Sequence, residues 1–220
     1  MLMFGIYALV ALGIISAINI AGNLTGHRTI VVISKPLLVP CIIVFLISGG
    51  GASMLSLIFA IALVFGWGGD VALLWKKTSP KAVLLGLLSF MTGHVFYIIT
   101  FGLAMGWFSS WQWWLAILAI PYVLYALEIY RLLRAGLEKM KIPAIVYLIV
   151  LLNMSFFALA MMVTLLHFTW LTFVGSLLFV ISDSVLAVEQ FKKHDEILHH
   201  SIVMVTYIAA QLLIVTGFVA

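Results

Sequence analysis

Residues 53–77 read SMLSLIFAIALVFGWGGDVALLWKK. From Met54 to Leu74 this stretch carries a single charge, Asp70, and it ends at Lys76 and Lys77. As a helix rising 1.5 Å per residue it is about 30 Å long, the thickness of a bilayer's hydrocarbon core. A buried helix of a soluble domain seldom needs more than roughly 14 consecutive apolar residues, so the stretch reads as a transmembrane span. Similar runs fall at about 3–21, 31–48, 53–74, 82–104, 112–130, 142–163, 168–189 and 198–219, separated by turn or charge signals such as GNLTGHR, SGGG, WKKTSPK and RLLRAGLEKMK. The fold class expected is an all-α integral membrane protein of eight transmembrane helices. Span 2 fits least well, because it contains Lys35, Pro36 and Pro40.

Composition agrees. Of 220 residues 65% are hydrophobic and 8% charged, against roughly 45–50% and 25% in soluble domains. The mean hydropathy is +1.29. Eleven Lys and Arg with seven Asp and Glu cannot coat a water-facing surface. Eight spans take roughly 160 residues, so 1–220 is expected to be one membrane domain. The pI near 9.3 does not argue for nucleic acid, since the basic residues are spread over loops rather than gathered with exposed aromatics. Cys41 stands alone inside an apolar run, which excludes an intrachain disulfide. The N-terminal run has no basic n-region or A-x-A-like site and reads as a retained first span.

The basic residues alternate between loops. Loop 1–2 carries Arg28, loop 3–4 carries Lys76, Lys77 and Lys81, loop 5–6 carries Arg131, Arg134, Lys139 and Lys141, and loop 7–8 carries Lys192 and Lys193. The other loops and both termini carry none. By the positive-inside rule this predicts a multi-pass protein of the inner or plasma membrane, if bacterial, with both termini non-cytoplasmic. The sequons at Asn23 and Asn153 then lie on the cytoplasmic side and inside a span, which argues against glycosylation. Trp107, Trp111, Trp113, Trp114 and Trp170 fall at the opposite interface, where indoles prefer to sit. FGWGGDVALLWKK echoes FVISDSVLAVEQFKK, with Asp70 and Asp183 113 positions apart in a 220-residue chain. A parallel four-plus-four repeat explains the echo; so does the tendency of any two apolar spans ending in Lys-Lys to look alike.

Ionisable groups within spans are costly and usually face a bundle interior or a water-filled cavity. Asp70 lies six residues before Lys76, and Asp183 nine before Lys192, so the carboxylates sit about 9 and 13 Å inside the boundary. The two can share a depth. Neither has a basic residue three or four positions away on its own helix, and they are the leading functional candidates. Lys35 either snorkels or meets an anionic head group. His94 and Asn153 come near mid-membrane, and His94 has Tyr97 one turn on. Glu128, three residues before Arg131, reads as a surface pair. Glu196, His199 and His200 share a helical face that could bind a metal, though a charged helix start explains them equally and no metal site is expected. No nucleotide-binding glycine pattern, H-E-x-x-H or G-x-S-x-G is present.

Lys35-Pro36-Leu37 in span 2, Gly69-Asp70 in span 3, Gly93-His94 with Tyr97 in span 4, Pro143 with Tyr147 in span 6, and Ser182-Asp183 with Leu186-Ala187 in span 7 together resemble the lysoplasmalogenase family, the YhhN and TMEM86 group. The resemblance covers most of the chain. It implies a membrane hydrolase that cleaves the vinyl-ether bond of a lysophospholipid, releasing a fatty aldehyde and a glycerophospho-ethanolamine or -choline. It carries over Asp70 and Asp183 as the catalytic pair and Lys35, His94, Tyr97, Tyr147 and Ser182 as cavity residues, with no cofactor; Asn153 joins them from its depth alone.

Vinyl-ether chemistry suits two carboxyls. Acid protonates the β-carbon, and water captures the resulting oxocarbenium ion, so a protonated carboxyl serves as general acid while an ionised partner stabilises the cation and activates water. A proton-coupled lipid or small-molecule transporter would also place carboxylates in spans. The strong polar residues lie in the cytoplasmic half or the middle of the membrane, whereas a transporter usually needs a route to both sides. The partners expected are the lysophospholipid and membrane lipid; no protein partner can be inferred.

Overall fold

With no water in hydrocarbon to take its N–H and C=O groups, an apolar run must satisfy them internally, and each run here folds as a helix. The computed structural model describes residues 2–51, 53–76, 78–106, 113–137, 140–165, 169–192 and 196–220, without the side chains of 2, 80, 192 and 196–200. The helices are α1 (Leu2–Leu24), α2 (Arg28–Gly50), α3 (Met54–Leu73), α4 (Pro80–Ala104), α5 (Ile120–Leu133), α6 (Lys141–Leu165), α7 (Thr169–Lys192) and α8 (Glu196–Val219). A 3₁₀ segment, Trp113–Ala119, leads into α5 and completes the fifth span. The protein is an all-α membrane protein with eight spanning helices, and the described residues contain no strand. Trp107 and Trp111, Lys77, Lys139 and Lys193, and the side chains of Glu196, His199 and His200 lie outside the described residues.

The span that fitted least well, α2, is continuous through Pro36 and Pro40. Pro40 has no N–H for the carbonyl of Pro36, four residues back. The indole Nε1–H of Trp67 on α3 fills that vacancy at 2.8 Å. A proline that would weaken an isolated helix therefore becomes a fastening between two.

The closest packing is between chain neighbours, α1 with α2, α3 with α4, and α7 with α8, while α4 also packs on α6 and α6 on α7. Small residues let α3 and α4 approach: a Cβ on Gly93 would stand 2.9 Å from the carbonyl oxygen of Ala62. The core runs through the middle of the bundle and includes Leu38, Phe59, Tyr97, Phe101, Met154 and Phe179. The fifth span is the least buried of the eight. It touches α6 and α7 and is fastened by Tyr122 to Ser155 (3.2 Å) and Tyr125 to Ser184 (2.7 Å).

Candidate active site

Asp70 stands near the lysine-bearing end of α3, preceded by Gly69. A Cβ at Gly69 would lie 2.6 Å from the Phe90 ring, so the glycine lets α4 close over the carboxylate. Lys35 reaches Asp70 from α2, with Nζ 3.1 Å from Oδ1 and both side chains buried. Such a pair survives out of water only as a pair, because either charge alone would carry an uncompensated desolvation cost. Tyr207 on α8 turns its hydroxyl toward Asp70 and accepts from Gln211 Nε2 at 3.4 Å. Tyr97 donates to Gln211 Oε1 at 2.6 Å. Oδ2 of Asp70 makes no hydrogen bond among the described residues.

Asp183 is presented by α7 from a different set of neighbours. The hydroxyl of Tyr147, on α6, donates a short hydrogen bond to its Oδ2. His94 on α4 places Nε2 3.1 Å from the Tyr147 oxygen and 3.7 Å from Asp183 Oδ2. Since Tyr147 has one hydrogen and gives it to Asp183, its oxygen must accept, which makes Nε2 of His94 the protonated nitrogen. Phe179 packs edge-to-face with the imidazole, centroids 4.8 Å apart, and Nδ1 has no partner among the described residues. His94, Tyr147 and Asp183 thus form one chain of hydrogen bonds from three helices.

The two carboxylates meet at a polar cavity of about 20 Å³, which Lys35, Asp70, Ser182, Asp183 and Tyr207 help to line. That is room for about one water molecule. A second cavity of about 100 Å³ adjoins it; its wall is almost wholly apolar, with Leu87, Leu133 and Leu148 among its residues. Leu73, Phe90, Asp183 and Leu186 line both. Asp183 therefore stands where apolar space meets polar space, while Asp70 lies on the polar side alone. A broader groove of about 390 Å³ runs between the fifth span, α6 and α7, past Tyr122, Tyr125 and Leu177.

Of the residues singled out in the sequence, the structure brings together Asp70, Asp183, Lys35, His94, Tyr147 and Ser182. Ser182 lines the polar cavity but donates its hydroxyl to the carbonyl of Val203 at 3.0 Å. Lys35 has its ammonium on Asp70. Tyr97 is buried behind Gln211, reaching Asp70 only through the Gln211 and Tyr207 chain. Asn153 is not at the site: it is exposed on the outside of α6, its amide bonded to the carbonyl of Ile149 at 2.8 Å. Glu128 pairs with Arg131 at 2.6 Å on the surface. Sequence reading missed Tyr207 and Gln211, whose only signal is two polar groups one helical turn apart in an apolar run. It also missed the ion pair of Lys76 with Glu189, Nζ to Oε1 2.6 Å.

Comparison with known proteins bears on this arrangement. A human protein named lysoplasmalogenase TMEM86B is 35% identical over 159 residues, 70% of this chain and 59% of the human protein. The match thus spans less than two thirds of that relative's length. No solved structure matches. The profile of the YhhN family matches residues 30–218, a range that takes in every residue of the two hydrogen-bonded clusters, and the chain belongs to the YhhN family.

Proposed function

We propose that this protein hydrolyses the vinyl-ether bond of lysoplasmalogen, using Asp70 and Asp183 as an acid and base pair. The observation that carries the reading is that two buried carboxylates share a cavity with room for one water, and that one of them also faces an apolar chamber. The name of the human relative supports the substrate class.

The asymmetry of the surroundings divides the roles. Asp70, ion-paired with Lys35, is the carboxylate. Asp183 stands against the apolar chamber where the alkenyl chain lies; with Oδ2 held by Tyr147, its Oδ1 is the atom left to deliver a proton. Asp183 protonates the β-carbon of the vinyl ether, and positive charge develops on the α-carbon and ether oxygen. Water between the carboxylates attacks the α-carbon and loses a proton to Asp70, a division of labour also used on glycosides. The hemiacetal collapses as its hydroxyl proton returns to Asp183 and Asp70 gives its proton to the departing glycerol oxygen, which releases the aldehyde and restores both carboxyls. His94 and the Tyr147 hydroxyl hold Asp183 in register, while the Tyr147 ring lines the apolar chamber. The charge alternation of the loops supports entry from the cytosolic leaflet, with the chain passing beside the loosely packed fifth span.

The test is mass spectrometry of the aldehyde released when purified protein meets an alkenyl lysophospholipid, with the saturated alkyl ether as control. Aldehyde from the alkenyl lipid alone is expected. No aldehyde from either would overturn the reading.

A further inference from the structure

Two lysine–carboxylate ion pairs, one buried and one partly buried, stand at the polar cavity, and only that of Lys35 belongs to a carboxylate of the proposed reaction. The other joins Lys76, in the turn after α3, to Glu189 near the end of α7, with side chains 16% and 6% exposed. Lys76 also lines the cavity. We propose that Lys76 and Glu189 are the head-group subsite for a zwitterionic lysophospholipid, the phosphate taking Lys76 and the amine taking Glu189. The inference rests on the hydrolase reading for where the ether lies.

Register and length support it. Glu189 follows Asp183 by six residues on α7, about 9 Å along that helix, and Lys76, six residues after Asp70 and in the turn beyond α3, meets it there. In a lysoplasmalogen six bonds separate the vinyl-ether carbon from phosphorus, an extended reach of roughly 7–8 Å. An ether held at Asp183 puts its phosphate at the depth of Lys76. Lys35 is not free for this, because its ammonium is on Asp70. Charge supports it as well. A Lys–Glu pair is the mirror image of a phosphate–ammonium pair, and each protein charge can change partner without either being left bare in a low-dielectric setting. A phosphate head group without an amine would satisfy Lys76 but leave Glu189 facing a negative charge. The subsite therefore discriminates between head groups as well as holding them.

Binding to the purified full chain in nanodiscs of uncharged lipid tests this with three saturated-ether probes that lack a double bond to protonate: 1-O-alkyl lysophosphoethanolamine, 1-O-alkyl lysophosphoglycerol and 1-O-alkylglycerol. Lys76→Met should weaken the two phosphate probes about tenfold or more, the value of a charge-assisted hydrogen bond, and leave alkylglycerol unchanged. Lys76→Arg should restore them. Glu189→Gln should erase the preference for phosphoethanolamine over phosphoglycerol. The double variant Lys76→Met, Glu189→Gln removes both charges of the pair together and should bind all three probes alike. Undiminished phosphate binding in both Lys76→Met variants, or an equal loss of alkylglycerol, would overturn the subsite. Aldehyde release measured alongside separates the two readings. Head-group-selective binding without aldehyde sinks the hydrolase and keeps the subsite; aldehyde without head-group selectivity sinks the subsite alone.

Discussion

Lys35 of α2 and Asp70 of α3 meet at 3.1 Å, both almost wholly buried, where every other lysine and arginine among the described residues lies in a loop or near a helix end. The pair fixes one carboxylate beside the polar cavity and fastens the second span to the third at the depth of the site.

Lys35→Met should therefore act on stability as well as turnover. Removing one partner of a buried pair costs about 3–5 kcal/mol, because the other charge is left uncompensated. Adding Asp70→Asn to Lys35→Met should recover most of that stability and none of the turnover. Thermal unfolding in detergent alongside aldehyde release reads both. A Lys35→Met protein as stable and as active as the parent would show that the pair is incidental.

Asp70→Asn and Asp183→Asn should each lower turnover by a factor on the order of 10²–10⁴, the value of a lost general acid or base. The double variant should be little worse than either single, since the two act as one unit. Survival of more than about a tenth of the parent rate in either variant would demote that aspartate to a structural partner.

Tyr147→Phe removes the hydroxyl that donates to Asp183 and accepts from His94. A hydrogen bond to a charged group is worth about 1.5–3 kcal/mol, so kcat should fall by roughly 10- to 100-fold while KM stays where it was. A rise in KM with kcat untouched would mean that the Tyr147 hydroxyl binds substrate instead of positioning the carboxyl.

In a Cys41→Ala background, Trp113→Cys and Thr78→Cys mark opposite ends of the bundle. The charge alternation predicts that an impermeant maleimide added outside intact cells labels Trp113→Cys and spares Thr78→Cys. Labelling of Thr78→Cys from outside would invert the topology and move the proposed entry to the other leaflet.

Hydropathy is local and additive along the chain, so eight apolar runs were legible without any knowledge of how they pack. Even α2, with its two prolines, was long and apolar enough to read as a span. What repaired it, the Trp67 indole on the Pro36 carbonyl, lies on another helix and leaves no periodic trace. The same holds for the site. Asp70 and Asp183 stood out because a carboxylate in hydrocarbon needs a reason, and the family resemblance pointed to their neighbours. It was the rotation of each helix about its own axis that turned Asn153 outward and Tyr207 inward.

By itself, then, the sequence determined the solvent, the number of spans, and which charged groups had to be sheltered within them. Only the tertiary structure decided the pairing: Lys35 with Asp70, Tyr147 with Asp183, Lys76 with Glu189. The physical reason is that burial cost belongs to a residue and can be read from its surroundings in the chain, whereas its compensation is a distance between side chains on different helices, set by packing alone.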